Sequence, residues 1–266
     1  MFFCPQLSAL WQARYFVYNS VRHDFISRVI RSRLGLFWVV LYPLAQVAIY
    51  AFILSVVLSA KLPGLDKPYA YPLFLCAGML AWSLFSDLIS RGLNLFIDQG
   101  SLLKKLAFPR LALPIALSIT ALLNNFLLLI ATLAVFWLLG DLPGITLIWL
   151  PILIFLVLIL GIGLALVLGL VNVFIRDIGQ FTLLGLQFGF WLTPIAYSLD
   201  LVPESYQVFL LLNPLSGLVQ GYQQVLVYHQ APNCWMLIYS GVWGVLSLWA
   251  ALFVYRHAID EVVDAL

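Results

Sequence analysis

Two rows of aromatic and amide side chains recur at helical spacing in an otherwise apolar chain. In the first row Trp38, Tyr42 and Gln46 step by four residues, which keeps them on one helix face with a drift of about 40° per step. A second row shares one face of a later segment and contains Gln180, Gln187, Trp191 and Pro194. Flat rings can cover the apolar faces of sugars while amides bond sugar hydroxyls, so the rows favour a saccharide passage. They are also typical of helix–helix packing with amides as polar contacts, and both interpretations stay open.

Ionisable side chains inside apolar runs are functional candidates, because a membrane interior disfavours charge. Asp87 precedes Arg91 by four residues, a spacing that places both on one helix face in the favourable order. We interpret them as a local ion pair that lets Arg91 reach the interface. Asp177 also stands next to an arginine, Arg176. Metal-dependent chemistry needs acidic or His/Cys clusters, and the sequence predicts no metal site.

The composition places these residues in a membrane. The chain has 266 residues, of which 64% are hydrophobic and 9% charged, whereas a soluble domain carries about 25% charged residues. A membrane span needs about 20 apolar residues, and backbone groups in hydrocarbon must pair within a helix. The sequence therefore predicts an all-α integral membrane protein with six transmembrane helices, at 35–60, 70–90, 112–139, 146–174, 178–198 and 235–256.

The basic residues predict the orientation of these spans. Of the 13 lysines and arginines, only Lys61 and Lys67 fall on one side. The positive-inside rule then places both termini in the cytoplasm. The basic residues on that inner side are Arg14, Arg22, Arg28, Arg31, Arg33, Arg91, Lys104, Lys105, Arg110, Arg176 and Arg256.

Two segments do not read as spans. Residues 8–31 mix apolar side chains with Arg22, Arg28 and Arg31, which predicts an amphipathic helix lying along the inner interface. A plain polar arm is the alternative. The segment 203–230 is cut by two prolines into pieces too short to cross, so it forms re-entrant or capping helices, or an ordinary outer loop. The predicted domains are a cytoplasmic N-terminal segment at 1–34, a six-helix domain at 35–256 and a cytoplasmic tail at 257–266.

Glycines mark places where helices can approach closely. Gly185 and Gly189 form one GxxxG step, a weak signal taken alone. Three more glycines, at 161, 163 and 169, leave parts of the fourth predicted span without side chains.

Four stretches together resemble the membrane subunit of ABC-2 type exporters, specifically the polysaccharide-export permeases. They are RHDFISRVIRSRLGLFWVVLYPL at 22–44, LLKKLAFPRLALP at 102–114, FIRDIGQFTLLGLQFGFWLTPIAY at 174–197 and NPLSGLVQGYQQVL at 213–226. The resemblance covers about 22–256, with its motifs in the family's order. One departure is Gln223, which stands where the family usually has an arginine, so no role of that arginine is carried over.

The resemblance implies a transport subunit rather than an enzyme. Such permeases form a homodimer with two cytoplasmic ABC ATPase subunits and export a lipid-linked polysaccharide through a channel between the protomers. The chain lacks a GxxxxGK[ST] stretch, so ATP and Mg²⁺ are expected on the partner ATPase and no cofactor on this chain. Membrane lipids are expected partners and nucleic acid is not. By position, the expected channel residues are Trp38, Tyr42, Gln46, Gln187, Trp191 and Tyr197.

The Phe-Pro-Arg stretch is most similar to O-antigen and teichoic-acid permeases. The expected substrate is therefore O-antigen on polyprenyl diphosphate, and the expected location is the bacterial inner membrane. Permeases for teichoic acid, capsule, a drug or a small lipid are the alternatives within transport. A membrane enzyme acting on polyprenyl-linked sugars is the alternative from another class.

The resemblance also implies a coupling helix that docks on the ATPase. Here it would cover about 93–106 and end before Pro109, since proline disrupts a helix. A basic inner loop needed only for topology is the alternative. The residues expected to take part are Asp98, Lys104, Lys105 and Arg110.

Overall fold

All regular secondary structure in the part of the chain that the structure describes is helical. The computed structural model describes residues 14–31, 37–53, 69–104 and 111–265. Short 3-10 turns occupy Ile145–Trp149 and Leu199–Leu201. In chain order the helices are α1 Arg14–Arg31, α2 Phe37–Ala51, α3 Ala70–Asp98, α4 Gly100–Leu103, α5 Ala112–Leu138, α6 Leu150–Phe174, α7 Asp177–Leu192, α8 Glu204–Leu211, α9 Pro214–Leu226 and α10 Cys234–Ala265.

Four helical segments are long and apolar enough to cross a membrane, and they correspond to the second, third, fourth and sixth predicted spans. They cover Ala70–Asp98, Ala112–Leu138, Ile145–Phe174 and Cys234–Ala258. The first predicted span is described only as far as residue 53, where its helix is apolar over Val40–Tyr50. The fifth forms a helix of 16 residues, α7. The count of six spans stays a prediction.

Proline sets the end of α7. Thr193 has an extended backbone, with φ −103° and ψ 135°, directly before Pro194. The ring of a proline disfavours helical geometry in the residue before it. The helix therefore stops several residues before the predicted span end at 198, and residues 193–198 form a buried, mostly non-helical segment.

The segment after α7 divides into two helices as predicted from its prolines. Asn213 caps α9, because its side chain accepts a hydrogen bond from the Leu215 amide at 3.1 Å, and Pro214 occupies the first turn. Helix α9 packs against α3, α6 and α10 and is largely buried. Ser240 Oγ donates to the Pro214 carbonyl at 2.7 Å. This hydrogen bond fixes the start of α9 against the second turn of α10.

Glycines allow α6 to approach its two neighbours. A Cβ on Gly169 would lie 2.3 Å from the carbonyl oxygen of Gly92 on α3. A Cβ on Gly163 would lie 2.3 Å from Ser247 Oγ on α10. These two faces confirm the close approach predicted from the glycines of the fourth span. In the GxxxG step of α7, a Cβ on Gly189 would lie 3.3 Å from the Trp82 ring, whereas Gly185 has no neighbour within 4 Å of an added Cβ in the described part of the protomer.

Gly169→Ala is expected to lower the free energy of unfolding by about 1–3 kcal/mol, the usual cost of overpacking a core. The added methyl meets the Gly92 backbone, which can move only with the whole of α3. Gly241→Ala is the matched control, because its Cβ would meet Leu156 Cδ2 at 3.5 Å, an ordinary contact. Thermal unfolding in detergent, followed by tryptophan fluorescence, measures both. Equal melting temperatures for the two variants would contradict the packing argument.

A second, smaller core joins the predicted inner ends of the helices. Its buried side chains come from α3, α4, α5, α6 and α10, and Phe16 of α1 packs against them. Helix α1 therefore has an apolar side in contact with the protein, while Arg22 on it is exposed. Its location at a membrane interface stays a prediction. The buried core residues are Phe96, Leu103, Leu113, Leu170 and Val262.

The predicted coupling helix differs from the structure, while the predicted domain limit at 256 stays a prediction. The coupling segment is not one helix over 93–106, because α3 continues to Asp98 and the separate helix α4 covers only Gly100–Leu103. Lys104 is already in a turn, so the helix ends well before Pro109, which lies outside the described residues. The predicted tail from residue 257 is helical as far as Ala265, as a direct continuation of α10. In both places buried side chains of the second core, Phe96 and Val262, hold the helix beyond its apolar run.

Candidate functional site

A cavity of about 820 Å³ lies between α2, α3, α5 and α7. Its wall combines aromatic rings with hydroxyl, amide and charged groups. The aromatic lining residues are Trp38, Tyr42, Tyr50, Trp82, Phe190 and Trp191. The polar lining residues are Gln46, Ser83, Ser86, Asp87, Ser90, Arg91, Asn124, Asn125 and Gln187.

Five of the six predicted channel residues line this one cavity. They are Trp38, Tyr42, Gln46, Gln187 and Trp191. Tyr197 does not line it, because it follows α7 and its hydroxyl donates to the Trp191 carbonyl at 3.0 Å. Gln180 and Pro194, the outer members of the second row, are not among the lining residues either. The two rows of the sequence are thus brought together by packing, although they come from helices far apart in the chain.

A cluster of aromatic rings forms one wall of the cavity. Phe190 is central: its ring centroid lies 5.6 Å from Tyr50, 5.7 Å from Trp82 and 5.4 Å from Trp191. The contacts with both tryptophans are edge-to-face, the arrangement that the ring quadrupoles favour. Sequence reasoning missed three of these rings. Tyr50 continues the first row by one more step of four, so that signal was present, and Gln46 Nε2 donates to its hydroxyl at 3.2 Å.

The charged groups of the cavity form a network across three helices. The predicted ion pair is confirmed, with Arg91 Nε 2.6 Å from Asp87 Oδ1. Arg91 Nη1 also lies 3.4 Å from Asp24 Oδ2 on α1. Asn124 on α5 donates to Asp87 Oδ2 at 2.9 Å. Arg91 is therefore more than a side chain reaching the interface, because it links α3 to α1.

The polar lining suits hydroxyl-rich, weakly charged solutes. Of the lining residues, only Asp87 and Arg91 carry a formal charge, and they neutralise each other. Serine hydroxyls and amide groups both donate and accept hydrogen bonds. The buried amide of Asn125 is held by its own bond to the Leu80 carbonyl, at 2.9 Å. Rings, hydroxyls and amides together can contact a sugar on its apolar and polar sides.

Asp98 and Lys104, two of the residues predicted to couple to an ATPase, are not among the residues that line the cavity. Asp98 is exposed as the last residue of α3, and Lys104 is exposed directly after α4. Lys105 and Arg110 lie outside the described residues. On α1 the backbone at Arg28 and Arg31 is helical, and the structure describes no side chain for either.

The buried segment 193–198, which directly follows α7, is held by polar contacts that the sequence did not reveal. Gln223 on α9 is buried, and its Nε2 donates to the Pro194 carbonyl at 2.9 Å. The Tyr71 hydroxyl donates to the Ala196 carbonyl. Asn213 Nδ2 lies 2.9 Å from Thr193 Oγ1. These bonds satisfy the carbonyls of 194 and 196, which the end of α7 leaves outside a helix.

The connection between α9 and α10 carries one more polar contact and one tyrosine with a raised pKa. His229 Nε2 lies 3.4 Å from Asp141 Oδ1. Burial, together with the negative charge of Asp200, raises the pKa of the Tyr228 hydroxyl. Tyr228 therefore keeps its proton to a higher pH than an exposed tyrosine does.

Comparisons with known proteins agree with one another. The family described as "ABC-2 type transporter" matches residues 17–227. The O-antigen export system permease protein RfbA of Myxococcus xanthus is 27% identical over 259 residues, which is 97% of each chain. A Klebsiella pneumoniae protein of the same name is 30% identical over 196 residues, 73% of each chain. The polysialic acid transport protein KpsM of Escherichia coli is 23% identical over 227 residues, 85% of this chain and 86% of that protein.

Proposed function

Because the chain belongs to the ABC-2 type transporter family, we propose that it is the permease subunit of an ATP-driven exporter that moves a lipid-linked polysaccharide across the bacterial inner membrane. The proposed cargo is O-antigen carried on polyprenyl diphosphate. It is a membrane transport subunit and not an enzyme, since its relatives are export permeases and transport proteins. The family resemblance seen in the sequence motifs is thereby confirmed.

The observation that carries the proposal is the convergence of the two sequence rows on one cavity. Trp38 and Trp191 come from the first and fifth predicted spans, and both line it. A polysaccharide needs repeated weak contacts rather than one tight site, so that it can move on after binding. Partly exposed rings beside hydroxyl and amide groups provide such contacts. The similarity to O-antigen export permeases supports the choice of cargo.

We propose a homodimer in which a second copy covers the free side of α7. Phe181, Leu184 and Phe188 follow helical spacing on this helix and are 69%, 50% and 68% exposed. Gly185 lies on the same face, which lets a second helix approach closely. Only Phe190 is buried on α7 within the protomer. In the dimer, the cavities of two protomers would open toward a shared passage.

The proposed assembly also includes two cytoplasmic ABC ATPase subunits. These subunits bind ATP and Mg²⁺, and the chain described here carries no cofactor. Six spans, cytoplasmic termini and the domain limits at 34 and 256 complete the proposal. Asp98, Lys104, Lys105 and Arg110 are the residues proposed to face the ATPase, with α1 and its arginines along the inner interface.

A capsule polysaccharide is the second candidate cargo. The similarity to the polysialic acid transport protein favours it, at 23% identity. The identities to O-antigen permeases are higher, at 27% and 30%, which places O-antigen first. Deletion of the gene separates the two candidates, because the polysaccharide that accumulates inside the cell identifies the cargo.

Co-purification tests the proposal directly. We expect the chain, extracted in detergent, to retain the ABC ATPase encoded beside its gene in a two-plus-two complex. That complex is expected to hydrolyse ATP, and a Walker A lysine variant of the ATPase serves as the inactive control. A chain that recruits no ATPase, or a complex that does not turn over ATP, would contradict the proposed function.

A further inference from the structure

The polar network around Arg91 has one end in the cavity and the other on the inner helix α1. Asp87, Arg91 and Asn124 line the cavity, whereas Asp24 is not among its lining residues. Arg91 contacts Asp87 at 2.6 Å and Asp24 at 3.4 Å. A guanidinium can serve two carboxylates at once because its five N–H donors form a rigid fork. We propose that Arg91 is a positioning residue that transmits the occupancy of the cavity to the inner face.

The two arms of the network differ in strength. The contact with Asp87 is short and stays within α3, while the contact with Asp24 is long and crosses to α1. Asp87 is also held by Asn124, at 2.9 Å. A hydroxyl-rich solute in the cavity competes for the same donors and acceptors. The long arm yields first, because it loses the least on breaking. The polar link between α1 and α3 is then lost, while α1 stays packed against α5.

A change at α1 reaches the surface proposed to face the ATPase. Phe16 of α1 packs against the inner core that contains Phe96 and Leu103. Leu103 ends α4, and Lys104 follows it directly. Helix α3 itself continues from Arg91 to its last residue, Asp98, and α4 begins directly afterwards at Gly100. The network and the segment proposed to dock on the ATPase therefore share one rigid helix and one core.

This inference rests on the proposed function, and its test separates the two. The permease–ATPase complex is reconstituted in lipid nanodiscs, and ATP turnover is measured with and without lipid-linked polysaccharide purified from the producing cells. In the wild type we expect the polysaccharide to stimulate turnover. In Arg91→Gln we expect the stimulation to fall about tenfold, as for the loss of one coupled contact.

Asp24→Asn changes the α1 arm and leaves the Asp87–Arg91 pair in place. It is expected to reduce stimulation as much as Arg91→Gln does, and the double variant is expected to add nothing further, because both remove the same link. Arg256→Gln is the matched control, an exposed arginine at the far end of α10, and it is expected to keep full stimulation. If Arg91→Gln does not fold, as judged by gel filtration, Asp24→Asn alone decides.

Amide hydrogen exchange of α1 is a second measurement. If Arg91 had a purely structural role, polysaccharide would not change the exchange rate of α1. Polysaccharide is expected to raise the exchange of α1 amides in the wild type. In Asp24→Asn the exchange is expected to be high already and to rise no further on binding. Polysaccharide that leaves α1 exchange unchanged in the wild type would overturn the inference.

The two failures are distinguishable. A wild-type complex that neither turns over ATP nor exports contradicts the proposed function. Two results overturn the role of Arg91 alone in a wild-type complex that exports. One is ATP turnover that does not change when polysaccharide is added. The other is full stimulation in both Arg91→Gln and Asp24→Asn. Additive losses in the double variant would also overturn it, because two independent contacts would then be acting.

Discussion

Trp191→Ala is expected to lower polysaccharide export about tenfold, while the chain stays folded and its ATPase stays bound. Trp191 lines the cavity and is 55% exposed, so its ring is available to a sugar. It also contacts Phe190 at 5.4 Å and Tyr50 at 6.0 Å, which orients the aromatic wall. A lost ring contact costs about 0.5–1.5 kcal/mol, and about 1.4 kcal/mol is tenfold in rate. Export into sealed proteoliposomes, with labelled lipid-linked polysaccharide, measures the effect.

Two variants separate stacking from general damage. Trp191→Phe keeps a flat ring and is expected to retain most of the export. Trp235→Ala removes a tryptophan that is 75% exposed on α10, outside the cavity, and is expected to leave export unchanged. Equal losses in Trp235→Ala and Trp191→Ala would mean that any exposed tryptophan matters, and the cavity would lose its assigned role.

The aromatic and amide rows could be predicted because they depend on local geometry alone. A helix brings residues four apart onto one face, so Trp38, Tyr42 and Gln46 had to lie together. The row on α7 follows the same rule. What the sequence could not show is that the two rows face each other across a cavity, since this depends on how α2 and α7 pack on α3 and α5.

The contacts at the polar end of the cavity could be predicted only in part from residue spacing in the sequence. The Asp87–Arg91 pair was predictable from its spacing of four. Asn124 lies 37 residues from Asp87 in the chain, and Asp24 lies 67 residues from Arg91. No periodicity connects such positions, and only the packing of α1 on α5 and of α5 on α3 brings them together. Covariation between related sequences is the kind of signal that could have found them.

The helix limits differ for a similar reason. Apolar runs located the spans, but α3 and α10 continue beyond their runs because Phe96 and Val262 are buried in the inner core. Tertiary contacts there outweigh local composition. The early end of α7, by contrast, was readable from Thr193-Pro194, since proline restricts the residue before it.

The combined change Lys104→Glu and Lys105→Glu is expected to weaken binding of the ATPase subunit by roughly a hundredfold and to stop ATP-driven export. Lys104 is exposed, and its neighbour Leu103 is buried in the inner core, which fixes the position of the charge. The docking role implies an acidic surface on the ATPase, so reversing two charges places like charges together, at a cost of about 3 kcal/mol or more. Titration of purified ATPase onto the immobilised permease, at low and high salt, measures the loss. Wild-type binding is expected to weaken with salt, because exposed charges are screened.

The competing explanation is that these lysines only set the topology, and native cysteines can test it. Cys234 is exposed at the start of α10, on the side predicted to face outward, and Cys76 is buried. In a Cys4→Ser background, a membrane-impermeant maleimide applied to spheroplasts therefore reports the orientation of α10. Lys61→Glu with Lys67→Glu makes the same change in net charge on the predicted outer side, and it is expected to leave both labelling and ATPase binding intact. If the inner variant keeps Cys234 labelled but loses the ATPase, docking explains the lysines. If it loses the labelling as well, topology explains them, and if it keeps the ATPase, the docking role is wrong.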